Sequence, residues 1–255
     1  MEKSEETVHQ WNQRDPGDIR PQLYSQYVSA FKPENAAMTA AELAHYYQWC
    51  DDRYFPFLRS LSKSAAIVEL GCGHGRILNY LHQKGFRNVK GIDISEEQIA
   101  IVDAQGLDAE TADVFTFLET ESTPIDCIIA IDFVEHFTKD ELYRLFTLIH
   151  DRLAKNGLFL IQTVNGEGLF PRQIIYGDLT HSTILTPGSM QQLLHATGFS
   201  DTRFAECSPI VRGIKGMVRA SFWKLIKTGA NVIRLIESGK RQSVWTENFI
   251  TAARR

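Results

Sequence analysis

Short apolar runs alternate with amphipathic segments through the middle of the chain. The runs are Ala65–Leu70, Val89–Ile94, Ala109–Val114, Ile125–Asp132 and Gly157–Thr163. A continuous apolar run such as Cys127-Ile-Ile-Ala-Ile is typical of a strand that is buried on both faces, as in a parallel sheet. Because strands alternate with helices and crossovers between parallel strands are right-handed, the pattern predicts an open, doubly wound α/β sheet.

Capping signals mark several helix ends. Two helix starts fit the capping-box spacing, in which a side chain and one three residues later satisfy each other's backbone N–H groups. They are Ser95 with Gln98 and Thr138 with Glu141. The helix that follows Thr138 is predicted to end at Gly157, and a further helix to run from Thr186-Pro187 to Gly198.

The chain divides into a main domain and two additions. Residues 1–62 are polar at first and then rich in aromatic side chains, which predicts a helical or irregular cover. Residues 63–255 form the main domain, and residues 208–243 are a helical insertion before a last strand that starts at Asn248. A length of 255 residues fits one domain with an appendage.

Composition and charge exclude several classes of protein. A hydrophobic fraction of 44% excludes a wholly disordered chain. The net charge of −4 makes a nucleic-acid partner unexpected. The four cysteines contain no CxxC pair, the first residues are polar and acidic, and no apolar run reaches the roughly 20 residues of a membrane span. We expect a soluble, cytoplasmic protein with reduced thiols.

The insertion contains a basic amphipathic stretch, residues 210–236, with six basic residues and no acidic one. Its apolar face predicts either a helix packed on the domain, which we favour, or one lying on an anionic membrane, which would make the protein peripheral at the inner membrane. Gly213, Gly216 and Gly229 argue against a single long helix.

A glycine-rich turn follows the first apolar run. The segment Glu69-Leu-Gly-Cys-Gly-His-Gly-Arg76 stands between a predicted strand and a predicted helix, where glycines let a ligand approach the backbone. Its third glycine is Gly75, so the dinucleotide pattern G-x-G-x-x-G fails. Asp93 ends the next strand, where an acid can accept both hydroxyls of a ribose. The pattern predicts a nucleoside site without a pyrophosphate cradle.

These segments resemble a known family. Val68-Glu-Leu-Gly-Cys-Gly-His-Gly75 and Gly91-Ile-Asp-Ile-Ser95 are similar to motifs I and II of class I S-adenosylmethionine-dependent methyltransferases. Three more segments resemble later motifs of the family: Ala112-Asp-Val114, Ile131-Asp-Phe-Val-Glu-His136 and Leu153-Ala-Lys-Asn-Gly157. The resemblance implies a Rossmann-like, mostly parallel seven-stranded sheet that binds S-adenosylmethionine and releases S-adenosylhomocysteine.

The resemblance also implies a set of cofactor-binding residues. Glu69, Gly71 and Gly73 would surround the methionine part, Asp93 the ribose and Asp113 the adenine, with Asp132 and Phe133 on the sulfonium side. The same motifs contribute four flanking residues: Cys72, Gly75, Ile94 and Val114.

Two histidines are candidates for the base that removes the acceptor proton. His181, in a polar loop after the fifth strand, is favoured, and His136, after Asp132 at the end of the fourth, is the second candidate. The spacing also resembles metal-dependent O-methyltransferases, which implies a cation held by Asp132, Glu135, His136 and His181. We favour chemistry without a metal.

The C-terminal third suggests the acceptor. Gly177-Asp-Leu-Thr-His181 and Trp245-Thr-Glu-Asn248 look similar to methyltransferases that modify bacterial surface polysaccharides such as lipopolysaccharide O-antigen or capsule. This resemblance implies O-methylation of a sugar hydroxyl on a small-molecule or glycan acceptor. The alternatives are O-methylation of a phenolic or quinone precursor or of another natural product, and a non-catalytic cofactor-binding scaffold.

Overall fold

The computed structural model describes Ile19, Arg20, Leu23 and residues 39–255. Its strands are β1 Ala66–Leu70, β2 Asn88–Asp93, β3 Ala109–Thr111, β4 Ile125–Ile131, β5 Leu153–Val164, β6 Ser200–Glu206 and β7 Asn248–Arg254. Its helices are α1 Ala40–Arg53, α2 Phe55–Leu58, α3 Arg76–Gln83, α4 Glu96–Ala104, α5 Val114–Thr120, α6 Lys139–Arg152, α7 Arg172–Gly177, α8 Pro187–Ala196 and α9 Gly213–Ser238. A 3₁₀ turn, Val134–His136, follows β4.

The strands form one sheet in the order β3-β2-β1-β4-β5-β7-β6. The pairs from β3 to β5 are parallel, whereas β7 is antiparallel to both β5 and β6. The predicted doubly wound, mostly parallel seven-stranded sheet is confirmed. The strand order reverses between β1 and β4. The connection that follows β1 and the connection that follows β4 therefore run in opposite directions, which opens a crevice at the carboxyl ends of these two strands.

The sheet is buried on both faces, as its continuous apolar runs predict. In β4, Ile128 belongs to the hydrophobic cluster under α5, α6 and α8, and Ile129 to the cluster under α1, α3 and α4. Both side chains are at most 1% exposed. Burying each one stabilises the fold by roughly 1.5–3 kcal/mol, so this strand anchors the sheet beneath the crevice.

One helix boundary differs from the prediction. The helix that begins after Thr138 ends at Arg152 instead of continuing to Gly157. Leu153 is extended and fully buried, and it pairs with Ile125 of β4 as the first residue of β5. Sheet pairing of a buried leucine therefore overrides the helical pattern, and the left-handed turn falls at Asn156, with φ 62°.

The other capping predictions have mixed outcomes. Thr138 and Glu141 form the complete capping box. Ser95 accepts the backbone N–H of Gln98, but the buried Gln98 Oε1 has no partner in the described part of the chain, so this box is only half formed. The helix that starts after Thr186 ends before Gly198, which has φ 93°.

The basic stretch is a single helix, α9, of 26 residues, so the prediction of a helix interrupted by glycine was wrong. Gly216 approaches the Ile210 carbonyl oxygen so closely that a Cβ would lie 2.6 Å from it, which explains this glycine. The helix buries none of its residues, against the expectation that its apolar stripe packs on the domain. None of the helices in the described residues is long and apolar enough to cross a membrane.

The predicted cover, residues 1–62, lies partly outside the described residues. Within them, α1 and α2 contribute Cys50, Tyr54 and Leu58 to the cluster on one face of the sheet. Arg20 is also buried, and its guanidinium donates to the His136 carbonyl oxygen at 2.8 Å and pairs with Glu141 at 2.9 Å. These contacts place part of the N-terminal segment against the carboxyl edge of the sheet.

Candidate functional site

The glycine turn after β1 takes a conformation that only glycine adopts without strain. Gly71, Gly73 and Gly75 have φ values of 70°, 53° and 76°. A Cβ at Gly71 would lie 2.4 Å from Cδ2 of Phe133, at the end of β4. The turn thus brings bare backbone against the predicted sulfonium side of the site.

The turn is tied to the end of β2. The backbone N–H of Gly71 donates to the Ile92 carbonyl oxygen at 2.8 Å. Asp93 accepts the Gly73 N–H at 2.9 Å through Oδ2 and the Ser95 N–H at 2.9 Å through Oδ1. A carboxylate oxygen has two lone-pair sites, so the geometry leaves acceptor capacity for ribose hydroxyls. The predicted pairing of the glycine turn with the acid of β2 is present.

Glu69 is a buried carboxyl beside this turn. It is 3% exposed, and its Oε2 has no hydrogen-bond partner among the described residues. Burial, and then the charge of Asp93, hold the pKa of Glu69 well above its ordinary value. A cationic amine placed here would supply the missing donor and the missing positive charge. The residues present therefore fit the amino-acid end of S-adenosylmethionine.

The other predicted cofactor residues have structural positions in the same region. Asp113 is buried and caps α5 by accepting the Thr116 N–H at 3.1 Å. Val114 is buried in the first turn of that helix, and Ile94 is half-buried after β2. Contact of these residues with an adenosine stays a prediction.

Gly91 of β2 has a packing role that the sequence pattern did not predict. A Cβ there would lie 2.6 Å from the sulfur of Cys72, so this glycine makes room for the turn. Burial raises the pKa of the Cys72 thiol, which stays protonated and has a packing role.

Asp132 ends β4 and is held by a network that the sequence did not reveal. Its φ is 50°, and its Oδ1 accepts the side-chain N–H of Gln162 at 3.0 Å. The other end of that amide, Oε1, accepts the Tyr54 hydroxyl at 2.9 Å and lies 3.4 Å from the Cys207 sulfur. Gln162 therefore orients Asp132 and links it to β6 and the N-terminal helices.

Glu135 points into the protein. It is 1% exposed, and its Oε2 accepts the Thr163 hydroxyl at 2.9 Å. Its carbonyl oxygen accepts the N–H groups of Ser182 and Thr183, which fastens the loop after α7 to the end of β4. Burial, and then the charge of Asp132, raise the pKa of Glu135 to about 8.

This raised pKa predicts a pH-dependent stability. Between pH 4.5 and about 8 the folded protein holds a proton at Glu135 that the unfolded chain releases, so stability falls as pH rises through this range. The slope reaches at most roughly 1.4 kcal/mol per pH unit. Glu135→Gln keeps the acceptor for Thr163 and should flatten this dependence in denaturant unfolding measured at pH 5, 6.5 and 8. An unchanged slope would contradict the assignment, and the exposed Glu119→Gln serves as the control.

His136 and His181 are brought together, with ring centroids 5.1 Å apart. The Thr180 hydroxyl donates to Asp178 Oδ1 at 2.5 Å and lies 2.9 Å from His136 Nδ1. The Thr180 hydroxyl already donates its hydrogen to Asp178, so its oxygen accepts the Nδ1–H of His136. In this tautomer the lone pair of the His136 ring is on Nε2. His181 Nδ1 faces the Ile175 carbonyl oxygen at 3.3 Å, which assigns the same tautomer.

The proposed metal ligands do not form a cluster. Among residues 39–255 and the three described before them, no three His, Cys, Asp or Glu side chains are placed to share an ion. One physical reason is that the Glu135 carboxylate points to Thr163 and accepts its hydroxyl, which turns it away from a shared ion site. The structure gives no support to the metal hypothesis.

A cavity of about 350 Å³ lies at the same edge of the sheet. Its wall includes Trp49, Trp223, Trp245, Arg53, Asn248 and Cys207. Four buried polar atoms of this wall have no hydrogen-bond partner among the described residues: Arg53 Nε and Nη1, Trp223 Nε1 and Asn248 Oδ1. Buried polar groups are normally paired, so these atoms mark a polar region of the protein next to the cavity. Sequence reasoning missed the cavity because its residues come from separated segments.

Comparison with known proteins identifies the family. A family model described as a methyltransferase domain matches residues 42–203, more than half of the chain. The chain belongs to this methyltransferase family. The match includes the glycine turn, Asp93 and Asp132, and it ends within β6.

The curated relatives of this chain include proteins named cyclopropane mycolic acid synthases. Cyclopropane mycolic acid synthase 1 of Mycobacterium tuberculosis is 26% identical over 171 residues, which are 58% of this chain and 59% of the relative. Cyclopropane mycolic acid synthase 3 of the same species is 27% identical over 109 residues, 41% of this chain and 38% of that protein. The chain thus spans about 59% of the length of the first of these relatives.

Solved structures share the fold of this methyltransferase. A SAM-dependent methyltransferase from Archaeoglobus fulgidus superposes with a TM-score of 0.63 at 17% identity, covering 84% of this chain and 94% of that one. The mycolic acid cyclopropane synthase CmaA1 with bound SAH and CTAB gives 0.55 at 19% identity, covering 87% of each chain. The comparisons agree with the predicted fold and cofactor, whereas the predicted likeness to glycan O-methyltransferases finds no counterpart in these relatives.

Proposed function

We propose that this methyltransferase transfers the methyl group of S-adenosylmethionine to a hydroxyl group of a sugar, in the synthesis of a surface glycan. The observation that carries the proposal is the hydrogen-bonded series Asp178–Thr180–His136, which ends in a ring nitrogen with a lone pair at the carboxyl edge of the sheet. Such a group is suited to taking a hydroxyl proton.

The cofactor would be held by the glycine turn, Glu69 and Asp93. Glu69 supplies a buried, unpartnered oxygen for the ammonium group, and Asp93 supplies acceptors for the ribose. When bound, S-adenosylmethionine supplies a methyl group whose bond to sulfur breaks, with both electrons going to sulfur, as the acceptor oxygen bonds to the carbon. The protein contributes alignment, a site shielded from water and a base.

His136 is the base in this proposal, ahead of His181. The Asp178 carboxylate, acting through Thr180, fixes the orientation of the His136 ring. It also stabilises the imidazolium that forms when Nε2 takes the acceptor proton. The Nδ1 atom of His181 faces a neutral backbone carbonyl oxygen, that of Ile175, instead of a hydroxyl linked to a carboxylate. The first preference drawn from the sequence is therefore reversed here.

The cavity favours a sugar as the acceptor. Trp223 and Trp245 contribute aromatic side chains to the lining, while Arg53 and Asn248 contribute polar side chains. Sugars combine apolar ring faces with hydroxyl groups that donate and accept, which matches this lining. The hydrogen bonds from Cys207 through Gln162 to Asp132 connect the cavity to the predicted sulfonium side.

A second candidate is methyl transfer to the carbon chain of a lipid. It rests on the similarity to proteins named cyclopropane mycolic acid synthases. An alkyl chain would offer no hydrogen-bonding group to the polar side chains of Arg53 and Asn248 in the cavity wall. The sugar is favoured for this reason.

The test uses methyl-tritiated S-adenosylmethionine with the total cell-envelope extract, which is separated afterwards into polysaccharide and lipid fractions. We expect the label in the polysaccharide fraction, released as a methylated sugar on acid hydrolysis. Label in fatty acyl chains alone would replace the proposal by the lipid candidate.

A variant of the cavity tests the acceptor site by itself. Trp223→Phe keeps an aromatic face and removes the unpartnered Nε1 donor. We expect KM for the polysaccharide acceptor to rise by roughly three- to tenfold while kcat stays near the wild-type value, since one hydrogen bond contributes about 0.5–1.5 kcal/mol. Tyr143→Phe, on the exposed surface of α6, is the control. An unchanged KM would remove the cavity from the acceptor site.

A further inference from the structure

Helix α9 has a face that is turned towards the domain. Its half-buried residues recur in steps of three and four and include Gly216, Ala220, Trp223, Lys227, Asn231 and Arg234. Residues at such steps share one face of a helix. Apart from Trp223, this inner face consists of small and polar side chains.

Polar contacts tie α9 and its flanking residues to the rest of the protein. Lys227 is ion-paired with Glu206 at the end of β6. Arg212, immediately before the helix, pairs with Asp52 of α1 at 3.1 Å. Asn231 Oδ1 accepts a backbone N–H from the segment that leads to β7, at 2.8 Å. The inner face of α9 is therefore the face that contacts the rest of the protein.

The outer face of α9 is apolar and exposed. It includes Ile214, Phe222, Leu225, Val232, Ile233 and Ile236, which are 55–83% exposed. A helix that docks on a domain normally turns its apolar stripe inwards, so α9 has the reverse arrangement. A continuous exposed apolar surface of this kind marks a site of interaction with a protein or a membrane.

The charges of α9 discriminate between these two partners. Lys215, Arg219 and Lys224 are exposed on the helix, and no acidic residue occurs from 207 to 236 in a chain whose net charge is −4. Two copies of such a surface would repel each other, whereas an anionic lipid surface would attract it. Basic residues beside an apolar face are typical of helices that lie in the membrane interface.

We propose that α9 lies in the surface of an anionic lipid bilayer, with its outer face among the headgroups and the upper acyl chains. Arg219 and Trp223 of the same helix line the cavity described above, and Trp223 does so from the inner face, which is turned away from the outer face. The proposal goes beyond the methyl transfer proposed above and does not depend on the identity of the acceptor.

Vesicle flotation tests the proposal directly. We expect the full chain to float with vesicles of phosphatidylcholine and phosphatidylglycerol in a 7:3 ratio, and to bind vesicles of phosphatidylcholine alone at least tenfold more weakly. Lys215→Gln with Lys224→Gln should weaken binding to the anionic vesicles roughly thirtyfold. Phe222→Ser with Leu225→Ser should weaken it by at least about tenfold.

The matched control is Tyr143→Ser, which removes an exposed aromatic side chain, 54% exposed, from α6 and should bind vesicles like the wild type. Thermal unfolding of every variant verifies that the fold is kept. Failure of the wild type to bind anionic vesicles would overturn the proposal. So would a dimer, detected by sedimentation without lipid, that Phe222→Ser dissociates while vesicle binding is unaffected.

Discussion

Replacing Asp93 by alanine should weaken the binding of S-adenosylmethionine by roughly a hundredfold or more, measured by calorimetry. The carboxylate holds the glycine turn through Gly73 and the start of α4 through Ser95, and it offers the acceptors for a ribose. Removing it deletes two or more charge-assisted hydrogen bonds of about 1.5–3 kcal/mol each.

The control for this experiment is Asp103→Ala on the exposed surface of α4. It removes the same charge from a side chain that is exposed to solvent and should leave the dissociation constant unchanged. If Asp93→Ala bound S-adenosylmethionine as tightly as the wild type, the cofactor site would have to lie elsewhere. The proposed methyl transfer would then lose its basis.

Replacing His136 by glutamine should lower kcat by about 10²- to 10⁴-fold, the usual contribution of a positioned base. Cofactor binding should be retained, because His136 is not among the predicted cofactor-binding residues. Transfer of tritium to the polysaccharide acceptor gives the rate, and calorimetry gives the cofactor affinity. Thr180→Val should lower kcat on the order of tenfold, since it breaks the link between His136 and Asp178 but leaves the imidazole in place.

Two further variants complete this test. His195→Gln, in the exposed last turn of α8, is the control for the loss of a histidine and should be fully active. His181→Gln should reduce the rate less than His136→Gln. A larger loss at His181 would exchange the roles of the two histidines, and full activity of His136→Gln would exclude it as the base.

Local patterns in the sequence were enough to determine the sheet and the meeting of the glycine turn with Asp93. The apolar run of β4 lies between two layers of helices, and such a strand must be apolar on both faces. The positive φ values of the glycine turn require glycine, so this turn can be recognised from the sequence alone. The expected meeting of Asp93 with the turn follows from parallel pairing of β1 and β2, in which carboxyl ends coincide.

Helix boundaries were less predictable where the sheet competes with the helix. Residues 153–156 continue a helical pattern, but burial of Leu153 against β4 is stronger than the local preference. The continuity of α9 through Gly216 and Gly229 was missed for a related reason. Glycine lowers intrinsic helix propensity by about 1 kcal/mol, and the polar contacts that hold the helix come from distant parts of the chain.

The surroundings of Asp132 and His136 and the cavity were decided by the tertiary structure. Gln162 is one polar residue in an apolar strand, and only folding shows that it joins Asp132 to Tyr54. The hydrogen bonds that link His136 to Asp178 join segments separated in the chain by α6, β5 and α7. The cavity is lined by side chains from α1, α9 and the strand ends. The sequence could show that residues 210–236 have an apolar face. Only the packing of the helix showed that this face points outwards, because the direction in which a helix is rotated depends on contacts with residues far away in the chain.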